Sequence, residues 1–223
     1  AGTVVAIAYL GTVIRGATDL GTFNAVFGGL NLTLLLSVTA IAASFPIGVM
    51  MALARTSKMP IFRLLSTGYI ETIRGVPLIT VLFFATRVLP RFMPPELALD
   101  PVEAVAVGMM FFTAAYLAEN VRGGLQAIPK GQYEAAQALG LSFWKSMGLI
   151  ILPQALKLVR PGIVNTCIAL VKDTTLVLII GLFDMLAMIE AALADPKWLG
   201  YAIEGLTFAA FVYWVFCFGM SRY

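Results

Sequence analysis

Residues 28–54 run for 27 positions without one charged side chain. As a helix rising 1.5 Å per residue, such a run is about 40 Å long, enough to cross about 30 Å of hydrocarbon with room for tilt. Lipid supplies no hydrogen bonds, so a segment of this kind must satisfy its own backbone, which a helix does. The whole chain agrees with this solvent. Of 223 residues, 60% are hydrophobic and 12% charged, with a mean hydropathy of +0.92, too little charge to wet the surface of a soluble domain. The 15 basic and 12 acidic residues leave a net +3, too small and dispersed for a nucleic-acid footprint. There is no histidine, which removes the commonest general base and metal ligand. Cys167 and Cys217 lie far apart in apolar stretches and read as small core residues, not as a redox or metal pair.

Further spans follow the first. Ala40, Ser44, Gly48 and Ala52 recur every fourth residue and predict a face that packs closely against another helix, with a local bend at Pro46. Arg55, Lys58 and Arg63 form a basic cluster that belongs in the cytoplasm, so the first full helix runs inward. A second helix is expected over residues 64–89, an external connection over 90–101, and a third helix over 102–127. Residues 128–145 make the longest polar connection, on the cytoplasmic side. Residues 146–175 cross outward, with Pro153, Pro161 and Gly162 expected to break the helix where it meets a cavity or its neighbours. Residues 176–197 carry Asp184, Glu190 and Asp195 and suit a partly buried element near the external face. A last helix spans 202–220. Residues 1–14 are too few to span and lack the basic lead-in of a signal peptide. Residues 1–27 are therefore expected to be the end of an upstream helix and an external connection, with residues 28–223 forming one membrane domain.

The polar connection holds the pattern Glu134-Ala135-Ala136, then Gly140, then Ile150, Leu152 and Pro153. Residues 131–139 predict a short helix lying across the cytoplasmic surface and ended by Gly140, where little room is expected for a Cβ. Its alanines permit close seating in a partner's groove, and Glu134 offers a charge for a partner's arginine or lysine. The ordinary alternative is an amphipathic loop between spans.

The pattern, EAA-x3-G-x9-I-x-LP, resembles the EAA signature of ABC importer permeases. The runs Glu71-Thr72-Ile73-Arg74-Gly75-Val76-Pro77-Leu78 and Ala115-Tyr116-Leu117-Ala118-Glu119-Asn120-Val121-Arg122-Gly123-Gly124 are similar to polar-amino-acid permeases of the histidine and glutamine type. Val171-Lys172-Asp173-Thr174-Thr175-Leu176 and the chain's ending are similar to general L-amino-acid permeases of Gram-negative bacteria. The resemblance implies an all-α membrane protein, a type I ABC importer permease bundle of five core helices plus part of a preceding one. Glu134, Ala135, Ala136 and Gly140 would then belong to a coupling helix. It also implies an inner-membrane location and several partners: a second permease chain, identical or homologous, two ATPase subunits, and a periplasmic amino-acid-binding protein. The sequence holds no GxxxxGK[ST] phosphate loop, so ATP and its magnesium are expected on the partner ATPase and no cofactor in this chain. A membrane-embedded enzyme would need a catalytic constellation, which is not found, and a passive channel has no use for an ATPase dock.

Charges at membrane depth need partners or water, since each unpaired one costs at least about 2.5 kcal/mol. Glu71 with Arg74, and Glu119 with Arg122, are spaced i,i+3 and are expected to neutralise each other. Lys172 and Asp173 are adjacent, point about 100° apart on a helix, and need other partners. Two readings stand: an ion pair with another helix or subunit, or the charged groups of a zwitterionic amino acid, with Asn165, Thr174 and Thr175 adding neutral hydrogen bonds. Arg87 and Arg91 are expected to snorkel to the outer surface or touch the binding protein.

Overall fold

The structure, a computed structural model, describes residues 28–57, 59–94 and 99–222. The expected end of an upstream helix, together with Lys58 and Glu96, lies outside them. Among the described residues, four helices are long and apolar enough to cross a membrane, or five if one broken pair is counted as a span.

Helix α1, Leu30–Thr56, continues through Pro46. With no water to solvate them, its hydroxyls turn back on the helix: Ser37 Oγ donates to Thr33 O at 2.7 Å and Thr39 Oγ1 to Leu35 O at 2.6 Å. The small-residue row is buried at all four positions, and an added Cβ at Gly48 would stand 2.8 Å from Leu117 Cβ.

The second span is broken, where a single helix was expected. Helix α2, Pro60–Arg74, ends as the Gly75 amide donates to Glu71 O at 3.0 Å, and α3, Leu78–Phe83, starts after an extended Pro77. A proline at 77 cannot donate to a helical carbonyl and disfavours helical backbone at Val76, so the ladder stops there. Helix α3 continues into a π turn, Phe84–Val88, and a 3-10 turn, Leu89–Phe92. Helix α4 spans Pro101–Ala127. Beyond it come α5, Lys130–Ala138, and α6, Phe143–Ser146.

The next span differs from expectation at its prolines. A π turn, Met147–Ile151, follows α6, and α7, Leu152–Asp173, then runs unbroken through Pro161 and Gly162. The disturbance comes before Pro153, where the Leu152 amide reaches back to Met147 O, five residues away. The same pattern precedes Pro90, where the Leu89 amide reaches Phe84 O. Each widened turn relieves the clash between a proline ring and the carbonyl four residues earlier. At Pro161 no such widening occurs, and α4 supports the turn instead: Asn120 Nδ2 donates to Gly162 O at 3.3 Å and to Thr166 Oγ1 at 2.9 Å. The helix tightens only beyond Asp173, into a 3-10 turn over Thr174–Ile180 that Gly181 closes at φ +90.

Helix α8, Met185–Leu193, and a short turn, Pro196–Trp198, precede the last span, α9, Ala202–Ser221. Of the three acids expected in a partly buried segment, Glu190 and Asp195 are exposed, whereas Asp184 is wholly buried. Asp184 N-caps α8, accepting from Ala187 N at 3.0 Å, and takes a 2.8 Å hydrogen bond from the Tyr213 hydroxyl.

The chain divides into two compact units. One comprises the described parts of residues 1–43, 76–112 and 167–223, around a core that includes Leu32, Leu36, Leu82, Val105, Met109 and Leu182. In it Gly29 N donates to Phe183 O at 2.8 Å and Met185 N to Thr33 Oγ1 at 3.1 Å, fastening the start of α1 to the turn before α8. The other comprises residues 44–75 and 113–166, with Ala52, Ile70, Val121, Leu125, Ile151 and Ala155 in its core.

Candidate functional site

Helix α5 forms where the polar pattern stands. Pro129 starts it in an extended conformation, its carbonyl accepting from Gln132 N at 3.0 Å. Gly140 ends it in the left-handed region at φ +69. The Gly140 amide donates to Gln137 O at 2.9 Å and the Leu141 amide to Ala136 O at 3.2 Å, the paired bonds of a Schellman cap. No atom lies within 4 Å of where a Cβ on Gly140 would be, so the expectation of a crowded site is wrong. Backbone conformation is what asks for glycine there.

The pattern's residues divide between two faces. Ala136 is buried against its own unit, while Glu134, Ala135 and Gly140 are exposed. Glu134 makes no ion pair among the described residues. Two polar ties hold the helix: the Tyr133 hydroxyl donates to Leu125 O at 3.2 Å, and Gln154 Nε2 donates to Gln132 Oε1 at 3.0 Å. Burial raises the Tyr133 phenol above its ordinary pKa, so it stays a neutral donor at working pH. Behind α5 lies a cleft of about 270 Å³ lined by Tyr133, Gln137, Leu141, Phe143, Met147 and others. Beside it Phe143 and Trp144 meet edge to face at 5.3 Å, with Trp144 73% exposed and Leu139 75%. The sequence reading did not single out these three apolar residues, although an exposed aromatic pair directly after an amphipathic loop is a readable signal.

The intramembrane charges pair differently from the i,i+3 expectation. Glu119 with Arg122 is found as expected, the guanidinium reaching both carboxylate oxygens. Glu71 with Arg74 is not. Glu71 Oε1 instead pairs with Arg55 Nη2 at 2.7 Å, and Arg74 faces Glu119 Oε2 at 3.8 Å while lying over the Tyr116 ring, 5.5 Å from its centre. Arg55 also reaches Glu119 Oε2 at 3.0 Å. Arg55 stands in the last turn of α1, close enough to α2 to take the Glu71 carboxylate from the local pair. One carboxylate, Glu119, thus serves three guanidinium groups.

Lys172, Asp173 and Thr174 lie together where α7 passes into its 3-10 turn, with Asn165 two turns earlier on the same helix. Asn165 and Lys172 are exposed and Asp173 is half-buried. Neither Lys172 nor Asp173 forms an ion pair among the described residues. Thr174 is wholly buried and donates to Val171 O at 2.8 Å, so its hydroxyl caps the helix end and is turned away from any cavity surface. Thr175 likewise donates to Lys172 O at 2.9 Å. Arg87 and Arg91 are exposed.

The family described as "Binding-protein-dependent transport system inner membrane component" matches residues 44–222. An inner membrane amino-acid ABC transporter permease protein of Escherichia coli K12 is 57% identical over 197 residues, which are 88% of this chain and 54% of the relative. A glutamate/glutamine/aspartate/asparagine transport system permease protein of Rhodobacter capsulatus is 50% identical over 88% of this chain and 46% of its own. The chain therefore spans about half the length of these curated relatives. Among solved structures, an amino acid ABC transporter with histidines superposes with a TM-score of 0.73 at 30% identity, covering 87% of this chain and 88% of the other. A methionine ABC transporter in an inward-facing conformation shares the fold, with a TM-score of 0.67 at 20% identity.

Proposed function

Because the chain belongs to the family of inner-membrane components of binding-protein-dependent transport systems, we propose that it is the permease subunit of an ATP-driven importer that carries L-amino acids inward from the periplasm. The observation that carries this reading is the surface helix α5, which buries Ala136 and turns Glu134 and Ala135 outward beside a left-handed Gly140. A short rigid helix with one free carboxylate and small neighbours fits a groove on a cytoplasmic partner, and the partner implied is an ATPase that binds the ATP and magnesium this chain has no phosphate loop to hold. Two such ATPase subunits, a second permease chain and a periplasmic binding protein complete the assembly. The amino-acid permeases among the chain's relatives support amino acids as the cargo. Lys172 and Asp173, without an ion pair among this chain's described residues, are the groups assigned to the path, with exposed Asn165 earlier on the same helix as a further candidate. Thr174 shapes the backbone under them.

The test begins with copurification from the native host, where an ATPase subunit should accompany the chain. In the reconstituted complex, Glu134→Lys turns an attraction into a repulsion worth on the order of 1 kcal/mol or more once partly desolvated. Amino-acid uptake and the stimulation of ATP hydrolysis by loaded binding protein should both fall, with the spans still inserted. Wild-type uptake and stimulation in that variant would remove the basis for the docking assignment.

A further inference from the structure

Glu119 and Asn120 are adjacent on α4 and reach in different directions. Glu119 gathers Arg55 of α1 and Arg74 of α2, besides Arg122 of its own helix. Asn120 bonds α7 through Gly162 O and Thr166 Oγ1. Some 12 Å of helix beyond Glu119, α4 ends and α5 begins. Helix α5 is tied back to α4 by Tyr133 and to α7 by the pairing of Gln132 with Gln154. All these residues belong to one compact unit. A push on α5 is thus delivered to α4 and α7 together.

We infer that Glu119 is the positioning residue through which displacement of α5 reaches α1 and α2. The inference rests on the reading of α5 as the coupling helix. Glu119 fits the role because it is oversubscribed. Among the described residues, Glu71 is the one other carboxylate that pairs with this cluster; it bonds Arg55 and is 58% exposed, against 22% for Glu119. Without the Glu119 charge, three guanidinium groups share the one more exposed carboxylate of Glu71, which bonds Arg55 alone, and the attraction that holds α1 and α2 to α4 on this side gives way to repulsion among the guanidinium groups. Apolar packing through Ala52, Ile70, Ala118 and Val121 still holds the three helices in one unit, so the loss is of a stiff linkage more than of the fold.

The experiment uses the whole complex in proteoliposomes, with its ATPase subunits and binding protein, and reads amino acid taken up per ATP hydrolysed. Glu119→Gln preserves shape and removes the charge. The expected result is an assembled complex that still hydrolyses ATP, with uptake per ATP lowered by about tenfold or more. Arg122→Lys, which keeps the charge, should retain a ratio close to wild type. A purely structural role would lower yield, hydrolysis and uptake together, leaving the ratio unchanged, and that outcome overturns the inference. Should Glu119→Gln fail to assemble, Glu119→Asp decides by the same ratio, a shortened side chain giving a lowered value if Glu119 positions and an unchanged one if it does not. Glu134→Lys run alongside separates the two readings. If stimulation survives in Glu134→Lys, the coupling reading fails and the Glu119 role falls with it. If stimulation is lost there while Glu119→Gln keeps the wild-type ratio, the Glu119 inference alone fails.

Discussion

Gly140 separates two reasons for a glycine. Space is not one of them, since nothing lies within 4 Å of its absent Cβ; the left-handed backbone at φ +69 is. A non-glycine residue in that region costs about 1–2 kcal/mol, least for asparagine and most for a β-branched side chain. Uptake in the reconstituted complex should therefore rank glycine, then Gly140→Asn, then Gly140→Ala, then Gly140→Val. Alanine is the smaller substituent, so an order with Gly140→Ala above Gly140→Asn would show that bulk at the partner surface decides instead. The sequence already located this glycine, because a helix-ending glycine after a short amphipathic run is a local signal. It could not show that the site is open, since that depends on what the rest of the chain places nearby.

Elements show where local reasoning stops. Pro90 and Pro153 each follow a leucine and a widened turn, whereas the helix runs straight on through Pro161. All three prolines lack an amide donor; next to the third, Asn120, 41 residues before Pro161 in sequence, bonds the carbonyl of the following glycine, a contact invisible to a scan along one helix. The i,i+3 expectation for Glu71 and Arg74 failed for the same reason. Spacing along α2 allowed the pair, but Arg55 of α1 took the carboxylate. Asp184 is a third case: its segment was expected to be partly buried near the external face, and nothing along the segment shows that the burial falls on this acid, which caps α8. It also accepts a hydrogen bond from α9, a helix in which Ala209 is the buried residue. Tyr213→Phe keeps the ring and deletes the donor to Asp184 Oδ2, leaving a buried carboxylate oxygen without its partner at a cost of about 1–3 kcal/mol. The thermal inactivation midpoint of the purified complex should fall accordingly, and an unchanged midpoint would mean that the hydroxyl does not hold α9.

At the scale of the whole molecule the membrane made the architecture legible. Long charge-free runs have few alternatives in lipid, so the number of crossings could be counted before any contact was known. The transport path is less legible, because a side chain lines it only if the assembled transporter leaves that side chain open to water. The end of α7 offers a graded test: Lys172 is exposed, Asp173 half-buried and Thr174 wholly buried, three consecutive residues on three sides of one helix end. If the path runs past Lys172 and Asp173, single cysteines introduced there should react with a hydrophilic thiol reagent in the assembled transporter. Cys167 and Cys217, both free and half-buried, must first be replaced by alanine so that background labelling does not obscure the result. Reaction should then be fastest for Lys172→Cys, slower for Asp173→Cys and negligible for Thr174→Cys, and at 173 it should differ between nucleotide-free and ATP-trapped complexes as the path opens to one side and then the other. Equal protection of Asp173→Cys in both states, with transport intact, would place that carboxylate in buried structure and remove it from the path. Labelling of Thr174→Cys as fast as that of Lys172→Cys would mean that the 3-10 turn unwinds during transport.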